Sequence, residues 1–228
     1  MSPPSSGHIP ERLPSPTRRN FIWWFLQLPG RMIFIVFFQL RARGIEKLPS
    51  EGGALLLINH QSFLDPLVVG APLTRTVSFI ARDSLFKVPG VGWLLRHTYV
   101  FPINRESAGT SSIRSAISRM RHGFYVGIFP EGTRSEDGRI GELKPGFVSL
   151  VRRCKVPVYP VGVAGSGAAL PKDVLFPRPG RVRVVFGDPL TADEINQYGK
   201  RGYEQQFVSL VREKMIQCQQ EAERWRQS

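Results

Sequence analysis

Residues 54–69 have the sequence ALLLINHQSFLDPLVV, and this stretch decides the fold. The apolar run 54–58 predicts a buried strand that ends at Ile58. Pro66 suits the first turn of a helix, and Ser62 or Asp65 can cap that helix at its start. A buried strand followed at once by a helix is typical of α/β proteins.

Outward from this stretch, short apolar strands and helical patterns continue to alternate. They predict an α/β domain over residues 44–228, with a mainly parallel sheet flanked by helices. In such sheets the functional residues gather in loops beyond the carboxyl ends of the strands. The predicted strands are Ala54–Ile58, Val77–Ile80, Tyr99–Ile103, Phe124–Phe129, Val158–Val163 and Val182–Phe186. The predicted helices lie near Pro66–Val69, Gly90–Arg96, Thr110–Arg121, Gly146–Cys154 and Tyr203–Trp225.

The N-terminal part differs from the rest in composition. Residues 1–20 are rich in Pro and Ser, which predicts a disordered tail. Residues 21–40 have the sequence FIWWFLQLPGRMIFIVFFQL, in which Pro29 and the charge of Arg31 interrupt an apolar run long enough to cross a bilayer. We therefore expect residues 21–43 to form a membrane-associated motif of two short interfacial helices, with flanking arginines at anionic lipid. A single spanning helix and an ordinary core helix are the alternatives.

The charge of the chain points to a polyanionic partner. Thirty-one Lys and Arg residues against 18 Asp and Glu residues give a net charge of +13. Nucleic acid, an anionic membrane surface and phosphorylated substrates would each fit this charge. The arginines are spread over the whole chain and no recognisable nucleic-acid motif is present, so we expect no nucleic-acid partner. The four histidines have no ligand spacing, so we expect no metal site.

His60 directly follows the first predicted strand, and Asp65 stands five residues later. A turn of this length can bring the carboxylate back to the imidazole. An acid on one ring nitrogen fixes the tautomer and supports the positive charge that forms when the other nitrogen takes a proton. No G-x-S-x-G motif accompanies the pair, so the sequence predicts that the substrate supplies the reacting hydroxyl. The alternative is a structural histidine beside a helix-capping aspartate.

Three further segments place polar or charged residues beyond strand ends or before a helix. Residues 129–135, FPEGTRS, combine a glycine for a tight turn with Thr, Arg and Ser donors for an oxyanion, although an ordinary polar turn would have the same composition. An arginine follows another strand end, and a lysine precedes a helix N-terminus, where an anion is favoured. The candidate binding residues are Arg105, Glu131, Gly132, Thr133, Arg134 and Lys144.

Together these segments resemble the glycerolipid acyltransferase family. The resemblance spans about residues 44–190, and Asn104 stands where an acidic residue often precedes the arginine in the family. The four family motifs occur here in order at 59–65, 100–105, 129–135 and 156–161.

The resemblance implies a glycerol-3-phosphate acyltransferase-like fold that a helical motif seats on the membrane. His60 would be the general base and Asp65 the acid that orients it. Arg105 and Arg134 would hold the acceptor phosphate, with Lys144 assisting, while the other candidate binding residues shape that pocket.

The activity that the resemblance implies is acyl transfer from acyl-CoA or acyl carrier protein (acyl-ACP) to the sn-2 hydroxyl of 1-acyl-glycerol 3-phosphate, giving phosphatidic acid. It requires no cofactor and no covalent acyl-enzyme. The enzyme would work on the cytoplasmic face of a membrane. Glycerol 3-phosphate or another lysophospholipid is an alternative acceptor, and water as acceptor would make the protein a hydrolase. A catalytically silent membrane-binding protein is the alternative outside enzymes.

Overall fold

The computed structural model describes residues 32–82, 86–87, 92, 100–103, 110–172, 174 and 176–228. In this part of the chain, seven strands form one sheet in the order β1–β7–β6–β2–β5–β3–β4. Their bounds are β1 Arg41–Arg43, β2 Ala54–Ile58, β3 Val77–Arg82, β4 Phe101–Ile103, β5 Tyr125–Ile128, β6 Val158–Ala164 and β7 Arg183–Phe186.

The directions of the strands bring several chain segments to one edge of the sheet. Strands β6, β2, β5, β3 and β4 run parallel. Strand β7 is antiparallel to β6, and β1 is parallel to β7. The carboxyl ends of the five parallel strands therefore share an edge with the starts of β7 and β1, where Ala164 is opposite Arg183 and Arg183 is opposite Arg41. We call this the carboxyl edge.

The sheet has a buried core on each of its faces. The described helices are α1 Asp65–Gly70, α2 Thr110–Arg121, α3 Gly146–Cys154, α4 Ser166–Ala169, α5 Ala192–Tyr198 and α6 Glu204–Gln227. Alternate residues of β2 divide between the cores: Leu56 packs in the cluster that contains Val68 of α1, whereas Leu55 and Leu57 pack in the cluster that contains Phe207 of α6. Because both faces of β2 are buried, its sequence is apolar throughout.

The predicted α/β class with a mainly parallel sheet is confirmed, and all six predicted strands are present with small shifts at their ends. The sequence pattern does not predict β1, because two exposed arginines around one alanine carry no apolar signal. The sheet already begins at Arg41, and both Phe38 and Leu40 lie in the core, a few residues before the predicted domain start at residue 44.

The predicted tail 1–20, the helix near 90–96 and most of the membrane-associated motif lie outside the described residues. The last part of that motif is described. Residues 32–37 are helical and expose several apolar side chains, with Val36 70% exposed. None of the helices in the described part of the chain has the length and apolar character needed to cross a bilayer.

Candidate active site

The loop between β2 and α1 brings His60 and Asp65 together. The His60 Nδ1 atom lies 2.8 Å from Asp65 Oδ2, which is hydrogen-bond distance. The imidazole also stacks on the ring of Phe129, with the two centroids 4.1 Å apart, and 18% of the histidine side chain is exposed. Its Nε2 atom has no hydrogen-bond partner among the described residues, which leaves this nitrogen open to an incoming group.

The carboxylate of Asp65 is fully buried, and both of its oxygens accept hydrogen bonds. Oδ2 lies against the imidazole and accepts the backbone N–H groups of Gln61 at 2.6 Å and Ser62 at 2.8 Å. Oδ1 accepts the hydroxyl of Ser166 at 2.5 Å. The predicted helix cap is wrong, because Leu64 occupies the N-cap position of α1 and no side chain caps this helix. The Asp65 carboxylate is turned back into the loop instead.

Ser166 is a residue of this site that the sequence does not predict. It begins α4 directly after β6. Ile58, the last residue of β2, is opposite Val161, so β6 extends beyond the end of β2 on the side of the carboxyl edge. The residues that follow β6 therefore reach the buried carboxylate of Asp65. The available signal was a small polar residue just beyond the end of a predicted strand.

Residues 129–135 are fastened to the backbone of His60 on both sides. The N–H of His60 donates to Glu131 Oε1 at 2.8 Å, and its carbonyl oxygen accepts the N–H of Ser135 at 2.7 Å. The other oxygen of Glu131 accepts the N–H of Gly141 at 3.0 Å. Two motifs that are far apart in the sequence therefore form one unit beyond the neighbouring strands β2 and β5.

Glu131 is predicted to contact the substrate, and in the structure its carboxylate bonds to the protein backbone. The side chain is buried, which raises the pKa of the carboxyl, while the N–H donors of Gly141 and His60 act in the opposite direction. Both oxygens bond to backbone N–H groups, so Glu131 positions the two loops. A direct contact with substrate stays a prediction.

Gly132 and Lys144 lie against each other beside this unit. Gly132 has φ +71°, a conformation that favours glycine. A Cβ atom at this position would come within 3.0 Å of the Lys144 Nζ atom, so a larger residue would displace the ammonium group. The backbone N–H of Lys144 donates to the carbonyl of Pro130 at 2.9 Å, which ties the lysine to the same turn.

Arg134 faces the loop that carries the His–Asp pair. Its guanidinium carbon lies 3.8 Å from the centre of the Phe63 ring, and Nη1 donates to the carbonyl of Lys172 at 3.3 Å. Thr133 is exposed next to it in the chain. Arg105 lies outside the described residues. Arg134 and Lys144 are therefore the two predicted cations that the structure associates with the His60 loop and the turn fastened to it.

Asn59 and Gln61 fix the same loop on either side of the histidine, and neither is predicted from the sequence as a site residue. Asn59 Nδ2 donates to the carbonyl of Val163 at 3.0 Å, and its Oδ1 accepts the N–H of Val163 at 2.6 Å. Gln61 Nε2 donates to the carbonyl of Gly138 at 2.8 Å. The partners of both side chains lie far along the chain, where no local pattern points to them.

A cavity of about 880 Å³ adjoins the pair. Gln61 belongs to its wall, whereas the imidazole does not, so the cavity lies beside the ring and does not contain it. The ion pairs Lys172–Glu136 and Arg226–Glu223 stand in the same wall, at 2.8 and 2.6 Å. Because these cations are already paired, the cavity offers an incoming anion less than the turn beside His60 does.

Residues 39–164 match the family model described as Acyltransferase, which covers more than half of the chain. The chain belongs to the acyltransferase family. The matched range includes His60, Asp65, Arg134 and the other predicted site residues of this chain.

Similar proteins carry the name 1-acyl-sn-glycerol-3-phosphate acyltransferase. The chloroplastic protein LPAT1 of Arabidopsis thaliana is 31% identical over 190 residues, which are 81% of this chain and 52% of the relative. A protein of Bacillus subtilis is 31% identical over 146 residues, which are 64% of this chain and 70% of the relative. The chain spans about half the length of the plant chloroplast relatives it matches.

The fold of this chain is also found in a solved structure. The crystal structure of the 1-acyl-sn-glycerophosphate (LPA) acyltransferase PlsC from Thermotoga maritima matches it with a TM-score of 0.64 and 27% identity, over 81% of this chain and 70% of that one. These comparisons confirm the resemblance that the four ordered motifs indicate.

Proposed function

We propose that this chain transfers a fatty acyl group from acyl-CoA or acyl-ACP to the sn-2 hydroxyl of 1-acyl-glycerol 3-phosphate, which gives phosphatidic acid. The observation that carries the proposal is the 2.8 Å contact between His60 Nδ1 and Asp65 Oδ2, in a loop fastened to a turn with cationic side chains. The names of the relatives support this choice of acceptor.

In the proposed reaction His60 acts as the general base. Asp65 holds the Nδ1 proton on the imidazole, so the lone pair of Nε2 can accept the proton of the acceptor hydroxyl. The acceptor oxygen attacks the thioester carbonyl, and the C–S bond of the resulting tetrahedral intermediate breaks. The imidazolium then returns its proton to the departing thiolate. The Asp65 carboxylate stabilises the imidazolium between these two proton transfers.

The buried hydroxyl and thiol groups of the chain are poor nucleophiles for this reaction. Ser166 and Ser62 are fully buried, and their hydroxyls donate to Asp65 and to a backbone carbonyl. Burial raises the pKa of the Cys154 thiol and raises that of Cys218 to about 11, which disfavours the reactive thiolate. We therefore favour direct attack by the lipid hydroxyl in a ternary complex, without an acyl-enzyme.

We place the acceptor phosphate at the turn 129–135. Arg134 supplies a planar fork that suits a phosphate group, and Lys144 supplies a point charge. The family resemblance implies that Arg105 also binds this phosphate. Gly132 keeps the turn open, because a Cβ there would press on the lysine ammonium.

We further propose that the reaction takes place at a membrane surface on its cytoplasmic side. Exposed apolar side chains of residues 32–37, among them Ile33 and Val36, support an interfacial contact at the start of the α/β domain. The acceptor lipid would then reach His60 without leaving the interface.

The test offers purified protein four acceptor conditions: 1-acyl-glycerol 3-phosphate, glycerol 3-phosphate, uncharged monoacylglycerol and no acceptor. Each is combined with acyl-CoA or acyl-ACP, and the products are identified by mass spectrometry. We expect phosphatidic acid from the first acceptor, and we expect His60→Ala to lower turnover by about 10³-fold or more with unchanged vesicle binding.

Two outcomes would contradict the proposal. Equal thiol release with and without acceptor would indicate a hydrolase. Equally fast acylation of monoacylglycerol would remove the phosphate-binding role of Arg134 and Lys144.

A further inference from the structure

Five arginines from three separate parts of the chain meet at one corner of the sheet. Arg41 and Arg43 are exposed on β1, Arg181 is exposed just before β7, Arg183 begins β7, and Arg226 lies near the end of α6. We call these five residues the arginine cluster. Their convergence depends on the sheet order, which makes β1 the edge strand beside β7.

The contacts within the arginine cluster centre on the ring of Trp225. The guanidinium of Arg43 lies 3.9 Å from the ring centre, and that of Arg183 lies 5.2 Å from it. Arg41 and Arg183 are opposite one another in the β1–β7 ladder. Arg181 Nη1 donates to the backbone carbonyl of Arg226 at 3.4 Å. The five positive charges are therefore held side by side.

One acid accompanies these charges. Glu223 pairs with Arg226 at 2.6 Å, and no other ion pair of the described residues involves a member of the cluster. Five arginines and one glutamate leave a local charge of +4. A group of like charges at this spacing destabilises the folded protein until a counter-charge arrives.

Arg183 is a buried member of the arginine cluster that has no carboxylate partner among the described residues. The residue is 5% exposed, and its Nη1 donates to the carbonyls of Gln39 and Val182, but its Nε has no hydrogen-bond partner in the described part of the chain. Burial, followed by the neighbouring arginines, lowers the pKa of this guanidinium. Arg75 also has an unbonded Nε, but both of its terminal nitrogens donate to backbone carbonyls, those of Pro49 and Gly123.

The arginine cluster lies on the same edge of the sheet as the candidate active site. Arg183 and Arg41 stand at the carboxyl edge, two and three strand spacings from β2, which is about 10 and 15 Å across the sheet. The apolar helical residues 32–37 adjoin it, because the carbonyl of Phe37 accepts the N–H of Gly180 at 3.2 Å. Exposed apolar side chains and unpaired cations are thus neighbours on one edge.

We propose that the arginine cluster binds the phosphate headgroups of anionic bilayer lipids and thereby turns the carboxyl edge, with His60, toward the membrane. This anion site is separate from the turn 129–135 that holds the acceptor phosphate in the proposed function. It depends on that function only in taking a bilayer as the source of the acceptor. The adjoining apolar helix supplies the hydrophobic part of the contact, and the cluster supplies the part that requires anionic lipid.

The experiment measures sedimentation of the full chain with vesicles of phosphatidylcholine, alone or mixed with phosphatidylglycerol. The variant Arg41→Ala/Arg181→Ala removes two exposed members of the cluster. Each surface arginine strengthens binding to an anionic bilayer roughly fivefold, so we expect about 25-fold weaker binding to the mixed vesicles. Binding to pure phosphatidylcholine should not change.

The matched control is Arg153→Ala/Arg201→Ala, which removes the same charge from two exposed positions. Arg201 precedes α6, whose 24 residues separate it from Arg226 by about 36 Å. We expect the control to bind mixed vesicles like the unmodified protein. An equal loss in both variants would show that total charge matters and would overturn the proposal.

Two further arms distinguish binding of lipid phosphate from a structural role of the arginines and from binding of the acyl donor. Arg41→Lys/Arg181→Lys keeps the charge and should keep most of the vesicle binding. If the lysine variant loses it, the arginines act through a structural contact and the proposal fails. Coenzyme A affinity should be equal in all variants, and its loss with retained vesicle binding would assign the cluster to the acyl donor and overturn the proposal. Transfer to detergent-dispersed acceptor should be unchanged, so vesicle binding and acyl transfer are judged independently.

Discussion

Asp65 and Arg183 are both buried charged residues at the carboxyl edge, and they differ in how far the protein satisfies their hydrogen-bonding groups. The carboxylate of Asp65 lies at hydrogen-bond distance from the imidazole and accepts hydrogen bonds from two backbone N–H groups and the hydroxyl of Ser166. The guanidinium of Arg183 keeps an unbonded Nε and stands among four other arginines. A charge that the fold satisfies completely is held rigid, whereas a charge that it leaves unsatisfied favours a partner from outside.

This difference matches the proposed tasks of the two residues. A carboxylate that orients a catalytic base must not move between substrate binding and product release, so internal hydrogen bonds suit it. A cation that binds a bilayer must exchange water for lipid phosphate at each encounter. The exposed members Arg41, Arg43 and Arg181 can make that exchange, and no ion pair among the described residues competes for them. The buried Arg183 adds its positive charge behind them.

The largest expected difference between Asp65 and Arg183 appears when each charged side chain is replaced by a neutral one of similar size. Asp65→Asn places an amide N–H₂ among groups that now donate to a carboxylate. We expect a loss of about 3 kcal/mol in the free energy of unfolding and of about 10³-fold or more in kcat. Arg183→Met removes a buried cation that lacks full compensation, and we expect the free energy of unfolding to change by less than about 1 kcal/mol. Urea titration and steady-state kinetics measure both. Similar destabilisation by the two substitutions would break the comparison.

A smaller effect is expected at Ser166. Ser166→Ala removes the donor to Asp65 Oδ1, which leaves that oxygen unbonded and the carboxylate less firmly oriented. We expect kcat to fall about tenfold, with KM for acceptor and donor unchanged. Ser62→Ala is the matched control, because this hydroxyl is equally buried but donates to the carbonyl of Leu170. Equal kinetic losses in the two variants would show that Ser166 serves the fold and not the orientation of Asp65.

The smallest expected effect is a thermal shift caused by anions. Phosphate ions should bind between the arginines and reduce their mutual repulsion, whereas the carboxylate of Asp65 does not bind anions. We expect a stabilisation of about 1 kcal/mol, which raises Tm by about 2–4 °C in phosphate relative to chloride at equal ionic strength. Arg41→Ala/Arg181→Ala should lose most of this rise, and Arg153→Ala/Arg201→Ala should keep it. An identical rise in both variants would mean that the anions act on the protein surface in general.

The sequence predicts the catalytic half of this comparison better than the other half. His60 and Asp65 are five residues apart, so a single loop brings them together and a local pattern suffices. The donor Ser166 comes from beyond β6, about one hundred residues later, and is not visible until the β2–β6 pairing is known. Apolar periodicity reports which face of a strand is buried but not which strand lies beside it.

The arginine cluster is a stronger case of the same limit. Its members stand near residues 41, 181 and 226, and only the reversed direction of β7 and the edge position of β1 make them neighbours. The two arginines of β1 are predicted as membrane-flanking charges, and the single alanine between them is too short an apolar signal to predict a strand. Composition predicts an anionic partner, while the topology decides where the partner binds.

The double attachment of the turn 129–135 to His60 affects how the acceptor preference of this protein could be changed. Glu131 and Ser135 hold the N–H and the carbonyl of the histidine, so the segment proposed to select the lipid and the segment proposed to deprotonate it behave as one mechanical part. The segment that selects the acceptor then cannot be exchanged without also affecting the position of His60. A turn grafted alone from another family member would shift the imidazole along with the phosphate pocket, whereas the turn and the β2–α1 loop exchanged as a pair would retain their mutual alignment.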